Sequence, residues 1–153
     1  MPLFQYINSL PEIPEELRIV DLKELESQEN IFRYPNYFFY KLYNIENKKL
    51  IDFLNSIFNF PFYAGYQITR NGIHIHKDYS RFECINYQFD PGGDLNFLNI
   101  YDEDKQTILH KEHILPNKWH YINVGKYHNV TGLIRPRIGI SITRIDDIKI
   151  DIL

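Results

Sequence analysis

His76-Lys77-Asp78 sets an imidazole and a carboxylate two residues apart, and a further imidazole, His128, follows 52 residues after the first (128 minus 76). Two histidines and one carboxylate are the ligand set that holds non-heme Fe(II) while leaving coordination positions open. Arg137 comes nine residues after His128 (137 minus 128). A guanidinium there supplies a fixed planar cation suited to gripping a carboxylate. Oxygen chemistry requires these four side chains to converge, and no other group of residues in the chain points to a reaction.

The elements that must bring them together change character along the chain. Residues 1–35 are mixed, with prolines at 2, 11, 14 and 35. Pro14-Glu15-Glu16-Leu17 has the form of a helix start, and a short helix is expected to run to about Ser27. Leu50, Ile51, Phe53, Leu54, Ile57 and Phe58 recur at three- and four-residue spacing opposite Asp52, Asn55 and Ser56, which predicts an amphipathic helix ended by Asn59-Phe60-Pro61. Beyond Pro61 the pattern is that of strands: Phe62–Thr69, Ile73–Lys77, Phe82–Phe89, Asn96–Tyr101, Gln106–His110, Trp119–Val124 and Arg137–Thr143. Short strands divided by turn residues such as Pro91-Gly92-Gly93-Asp94 predict a sandwich or barrel, with one or two N-terminal helices packed outside it.

Asn71-Gly72 is the strongest local turn signal, since both residues tolerate the positive φ of a type I′ hairpin. A hairpin there would set Arg70 opposite Ile73, Thr69 opposite His74 and Gln67 opposite His76. Gln67, Thr69, His74 and His76 would then share one face, opposite Tyr66, Ile68, Ile73 and Ile75. The same division recurs downstream: Cys84, Asn86 and Gln88 alternate with Ile85, Tyr87 and Phe89, and Arg137, Gly139, Ser141 and Thr143 alternate with Ile138, Ile140 and Ile142. Faces that are polar but sparsely charged fit the lining of a pocket better than a solvated surface. By this alternation Arg137 and Ser141 line it, and Arg135 is less suited to the part.

Composition limits the rest. With 153 residues, 44% of them hydrophobic and 24% charged, the chain suffices for one domain with a packed core and does not resemble a disordered segment. A net charge of −3 without a basic run argues against nucleic acid as a partner. The single cysteine, Cys84, excludes an internal disulfide or a thiolate zinc cluster and suits a reducing compartment. Met1-Pro2-Leu3-Phe4-Gln5 lacks a signal peptide's basic start and apolar run, and no apolar stretch reaches membrane-spanning length, so a cytoplasmic protein is expected. Oligomeric state leaves no mark in the sequence.

From Tyr66 to Thr143 the chain resembles the 2-oxoglutarate/Fe(II)-dependent dioxygenase superfamily. His76-x-Asp78 looks like its HxD motif at the end of the second core strand, and Asn86-Tyr87 with Pro91-Gly92-Gly93 like the next strand and turn. Lys118-Trp119-His120-Tyr121-Ile122-Asn123 with Tyr127-His128-Asn129-Val130 resembles the approach to the distal histidine, and Arg135-Pro136-Arg137-Ile138-Gly139-Ile140-Ser141 resembles the final strand. The resemblance implies a mainly β fold, a double-stranded β-helix (jelly-roll, cupin-like) core over 61–145, with residues 1–60 as a helical, substrate-side extension of a single domain. It implies Fe(II) on His76, Asp78 and His128, 2-oxoglutarate held by Arg137 with Ser141, Gln67 and Asn86 nearby, and O₂ as co-substrate. Hydroxylation of a C–H bond, with release of succinate and CO₂, would follow. The distal segment is similar to small prolyl or aspartyl/asparaginyl hydroxylase-like members, which favours a protein or peptide side chain as substrate. One departure is Gly139, where many members carry Ser or Thr two residues after the arginine.

Other readings stay open. His74-Ile75-His76 and Gly125-x-x-His128 are fragments of cupin motifs, which would suit a metal enzyme that does not use 2-oxoglutarate, although the Glu expected soon after HxH is absent. A non-catalytic jelly-roll binding protein is a third reading. Blander roles also exist for single residues: a surface His–Asp pair for 76 and 78, a surface ion pair for Arg137, and a pocket wall for Cys84. Trp119 is expected in the core, and His110, His113 and His120 in solvent.

Overall fold

The computed structural model describes residues 2–27 and 40–147. Part of the expected N-terminal extension, 28–39, therefore lies outside the described residues. Ten strands are seen among the described residues: β1 Phe4–Tyr6, β2 Tyr40–Asn44, β3 Phe62–Thr69, β4 Ile73–His76, β5 Cys84–Asp90, β6 Phe97–Tyr101, β7 Ile108–Glu112, β8 Trp119–Ile122, β9 Tyr127–Thr131 and β10 Arg137–Arg144. They form a six-stranded sheet ordered β1-β8-β5-β10-β3-β2 and a four-stranded sheet ordered β4-β9-β6-β7. From β3 to β10 the chain changes sheet at every connection except β6–β7, and all pairings are antiparallel. This is the double-stranded β-helix, or jelly roll. The seven strands read from alternation are present within two residues of their expected bounds. Strands β1, β2 and β9 were not among those expected; β9 has one aliphatic side chain, Val130, among His128, Asn129 and Thr131.

The helices cover the outer face of the larger sheet. Helix α1 spans Leu22–Glu26, after a 3-10 turn at Glu15–Leu17, and α2 spans Lys48–Ile57. Asn47 caps α2, its side-chain oxygen accepting from the amides of Lys49 and Leu50. The apolar stripe expected of α2 puts Leu50 and Leu54, both fully buried, into a core with Tyr66, Ile68, Ile140 and Ile142. Trp119 joins it, edge-on to Phe58 with ring centroids 5.3 Å apart, and donates its indole N–H to the Pro11 carbonyl. One face of each central strand is thereby used for stability, leaving the other to look between the sheets.

The Asn71-Gly72 hairpin does not form. Asn71 (φ 58°) and Gly72 (φ 84°) do adopt the left-handed conformation such a turn needs. Yet β3 pairs with β10 on one side and β2 on the other, while β4 pairs with β9 in the opposite sheet. Thr69 lies opposite Arg137 and Tyr40, and Gln67 opposite Gly139 and Leu42, not opposite His74 and His76. Because both edges of β3 are occupied, β4 has no place beside it, and the turn carries the chain between layers.

Strand β4 also breaks the alternation that put His74 and His76 on one face. Ile73 pairs with Val130 and His76 with His128, so three steps on β4 match two on β9. The irregularity, of the β-bulge kind, restores Ile73 and His76 to the same face. His74 is left exposed, while Ile73 packs against an inner apolar cluster that includes Leu98, Ile122 and Val130.

Truncation of the α2 stripe tests this packing. Leu54→Ala should lower unfolding free energy by about 2–5 kcal/mol in urea titrations. A loss below about 1 kcal/mol would mean that α2 does not bury this face on the sheet.

Candidate metal centre

Cross-strand pairing of His76 with His128 brings their rings to a centroid separation of 4.4 Å. Asp78 follows β4 by two residues, and its amide donates to the Val124 carbonyl at 2.9 Å, fixing the chain where the carboxylate turns inward. Asp78 Oδ1 then lies 3.5 Å from His76 Nε2 and 3.8 Å from His128 Nε2. The three candidate ligand atoms are all within 4.8 Å of one another. Atoms at right angles around an ion, each about 2.1 Å from it, are about 3 Å apart, so small side-chain adjustments suffice to close the set.

Hydrogen bonding aims these atoms. His76 Nδ1 lies 2.8 Å from the His74 carbonyl oxygen and His128 Nδ1 2.7 Å from that of Lys126. With Nδ1 donating to the backbone in each case, the neutral form of each ring keeps its lone pair on Nε2, the tautomer a metal requires. Burial pushes the His128 imidazole down to about 4, with His76 nearby acting in the same direction. Burial would also lower His76, but its hydrogen bonds to Asp78 and to the His74 carbonyl outweigh it and raise its pKa. For Asp78, burial acts upward and is overcome by His76 and the Arg81 guanidinium, which hold the carboxyl well below the usual range. The pocket is therefore built around an ionised carboxylate and a neutral His128. Donor types, tautomers and spacing all fit a divalent transition metal.

The triad lies in a cavity of about 650 Å³ between the sheets. Gln67 and Thr69 of β3, Cys84, Asn86 and Gln88 of β5, and Arg137 of β10 form its polar wall, as alternation along those strands predicts. Arg137 is 5% exposed; its Nε donates to the Pro91 carbonyl at 3.0 Å and one Nη to Asn96 Oδ1 at 2.9 Å. Burial pushes its pKa down to about 10, still charged at neutral pH. No carboxylate pairs with it among the described residues. Among the described residues, Asn86 Oδ1 and Gln88 Oε1 are buried with no hydrogen-bond partner. Arg135 sits outside, donating to Asp90 Oδ2 at 2.7 Å.

Several expectations need correction. Ser141 is not among the residues lining the cavity; its hydroxyl accepts from Arg81 Nη1 at 3.0 Å. His120, expected in solvent, is 1% exposed and stacks on Phe4, because its place on β8 points between the sheets. Gly139 has a steric cause: a Cβ there would collide with Gln88 Oε1 and the Tyr87 carbonyl oxygen. Two contributors escaped the sequence reading. Arg81, three residues after Asp78, donates to its Oδ2 at 2.8 Å. Asn96, fully buried, ties Arg137 to the backbone of Gly93 and Ile114. The Asp-x-x-Arg spacing was the one available sign of the first; nothing local marked the second.

No protein-family model matches the chain, and no curated protein does. Similar solved structures include forms of the oxalate decarboxylase OxdC of Bacillus subtilis. One is a deletion mutant (TM-score 0.48, 11% identity) and another was characterised for its Mn(II) centres (TM-score 0.48, 12% identity). In each, 82% of this chain is matched to 30% of the other, so this chain spans less than a third of those proteins. The fold assignment rests on the strand order itself.

Buried neutral imidazoles make stability depend on pH. His120 is depressed by burial to about 3, far below its ordinary 6.5. Its contribution is complete above pH 6.5 and is lost as pH falls from there towards 3, because only the unfolded chain takes up the proton. Urea titrations of metal-free protein should lose up to about 1.4 kcal/mol per pH unit below 6.5 for each such histidine. His120→Gln should flatten the slope between pH 6.5 and 4.5; an unchanged slope would contradict the burial of a neutral His120.

Proposed function

We propose that this chain is a jelly-roll metal enzyme holding Fe(II) on His76, Asp78 and His128, with 2-oxoglutarate bound through Arg137. One observation carries the reading: a buried guanidinium with no anionic partner among the described residues lines the same cavity as a metal-ligand triad. An unpaired buried charge is costly, and a carboxylate from a ligand is the natural partner for its planar donors. When bound, iron with 2-oxoglutarate and O₂ supplies oxidative decarboxylation to succinate and CO₂, coupled to hydroxylation of a C–H bond.

The chain's own residues bind, orient and exclude. Backbone carbonyls of His74 and Lys126 fix both imidazoles. Asn96 and the Pro91 carbonyl hold the Arg137 fork so that little freedom is lost when a carboxylate arrives. Gln67 and Asn86 lie along the wall between strands and offer amide groups to the same ligand. Leu98, Ile122 and Val130 line the apolar side and limit water around the reacting centre. A protein or peptide side chain is the proposed substrate, reaching the cavity past exposed Tyr79 and His74.

A second reading is a jelly-roll metal enzyme that does not use 2-oxoglutarate. It is favoured by the engagement of Ser141 with Arg81 and by the absence of any side chain at 139. Its HxH form gains no support, since His74 is exposed and stands outside the triad.

Anaerobic titration separates the readings. Wild-type protein should bind Mn(II) and then gain thermal stability with 2-oxoglutarate; with Fe(II) and O₂ it should form succinate. His76→Ala and His128→Ala should abolish both metal binding and succinate, whereas Arg137→Ala should keep the metal and lose the response to 2-oxoglutarate. Succinate formation unchanged in the histidine variants would overturn the assignment. Metal binding with no response to 2-oxoglutarate would select the second reading.

A further inference from the structure

The two oxygens of Asp78 have different surroundings. Oδ1 faces both imidazoles, at 3.5 and 3.8 Å, whereas Oδ2 accepts a hydrogen bond from Arg81 Nε at 2.8 Å. Arg81 is itself held from the far side. Its Nη1 donates to Ser141 Oγ at 3.0 Å and to Thr143 Oγ1 at 2.6 Å, both on β10. The guanidinium is mostly buried, with a side-chain exposure of 13%. Strand β10 thus supplies the cavity with Arg137 and supplies Arg81 with its two hydroxyl anchors.

A carboxylate can bind a metal through one oxygen or both. Two-oxygen binding by Asp78 would require Oδ2 to leave a charge-assisted hydrogen bond whose donor cannot follow, because that donor is tied to β10. Nor can the backbone of Asp78 shift freely, since its amide is bound to the Val124 carbonyl. We propose that Arg81 is a positioning residue that restricts Asp78 to one-oxygen binding and so keeps one more coordination position open for ligands from solution. Six positions less three single-atom protein ligands leave three open; two-oxygen binding by Asp78 would leave two. A co-substrate that chelates through two atoms needs the third position for its partner. Arg81 therefore decides whether the centre can hold both at once. This inference rests on the proposed metal-binding role of His76, Asp78 and His128.

Charge neutralisation alone would be a different role, and a lysine would fill it, whereas the planar fork of arginine joins carboxylate to hydroxyls. The test counts water on bound Mn(II), from the broadening of its electron paramagnetic resonance lines in ¹⁷O-enriched water, in the wild type, Arg81→Met, Arg81→Lys and the double variant Ser141→Ala/Thr143→Val. The wild type should carry three exchangeable waters. Arg81→Met and Arg81→Lys should carry two, with Mn(II) affinity altered about ten- to a hundredfold. The double variant leaves every ligand and Arg81 in place, so it keeps the test valid if Arg81 variants fail to fold; it should shift the count in the same direction. Three waters and unchanged affinity in Arg81→Met or, failing its folding, in the double variant would overturn the role of Arg81 while leaving the metal site standing. Three waters in Arg81→Lys alone would reduce that role to charge. A wild type that binds no Mn(II) would overturn the metal reading itself.

Discussion

The pairing of His76 with His128 across β4 and β9 is the constraint on which the site depends. Adjacent antiparallel strands bring opposed side chains within contact, but only residues on the same face can share an ion. One extra residue on β4 between Ile73 and His76 meets that condition. Without it, His76 would fall on the face opposite Ile73, and Asp78 would have no imidazole pair to meet. A local irregularity in a small sheet thus aims the proposed metal centre, while the larger sheet and its helices supply the stability that holds it.

The interior between the sheets is divided by polarity. Leu98, Ile100, Ile122 and Val130 belong to an apolar cluster, whereas Gln67, Asn86, Gln88 and Arg137 present polar groups to the cavity. Two guanidiniums are buried there under different conditions. Arg81 is neutralised by Asp78 and held by two hydroxyls; Arg137 has a carbonyl and an amide oxygen but no opposite charge among the described residues. An unneutralised buried cation weakens the fold unless something binds to it. Together with the unpartnered oxygens of Asn86 and Gln88, it marks a wall shaped for a ligand more than for stability.

Much of this was legible in the sequence, and the reasons differ by element. Strands β3, β5 and β10 have one apolar face against α2 and one polar face towards the cavity, so strict alternation separated Arg137 from Arg135 and placed Gln67, Asn86 and Gln88 on the wall. Helix α2 announced itself through the period of Leu50, Leu54 and their neighbours. The hairpin at Asn71-Gly72 failed because backbone preference specifies the turn but not the partner; β10 and β2 already occupied both edges of β3. His76 was placed on the right side by a wrong register, since a bulge cannot be read from residue types. Arg81, Asn96 and the commitment of Ser141 come from contacts between segments distant in sequence, which periodicity does not record. The cause of Gly139 is of that kind too, for it depends on the Gln88 side chain of the neighbouring strand.

The central claim is that one cavity holds a metal on three side chains and an anionic co-substrate on a buried arginine. A crystal structure of the protein grown anaerobically with Mn(II) and 2-oxoglutarate tests it most directly. The account predicts Mn(II) on His76 Nε2, Asp78 Oδ1 and His128 Nε2, with the far carboxylate of 2-oxoglutarate paired to Arg137. A metal bound elsewhere, or an Arg137 that remains without the carboxylate while the metal site is filled, would contradict it.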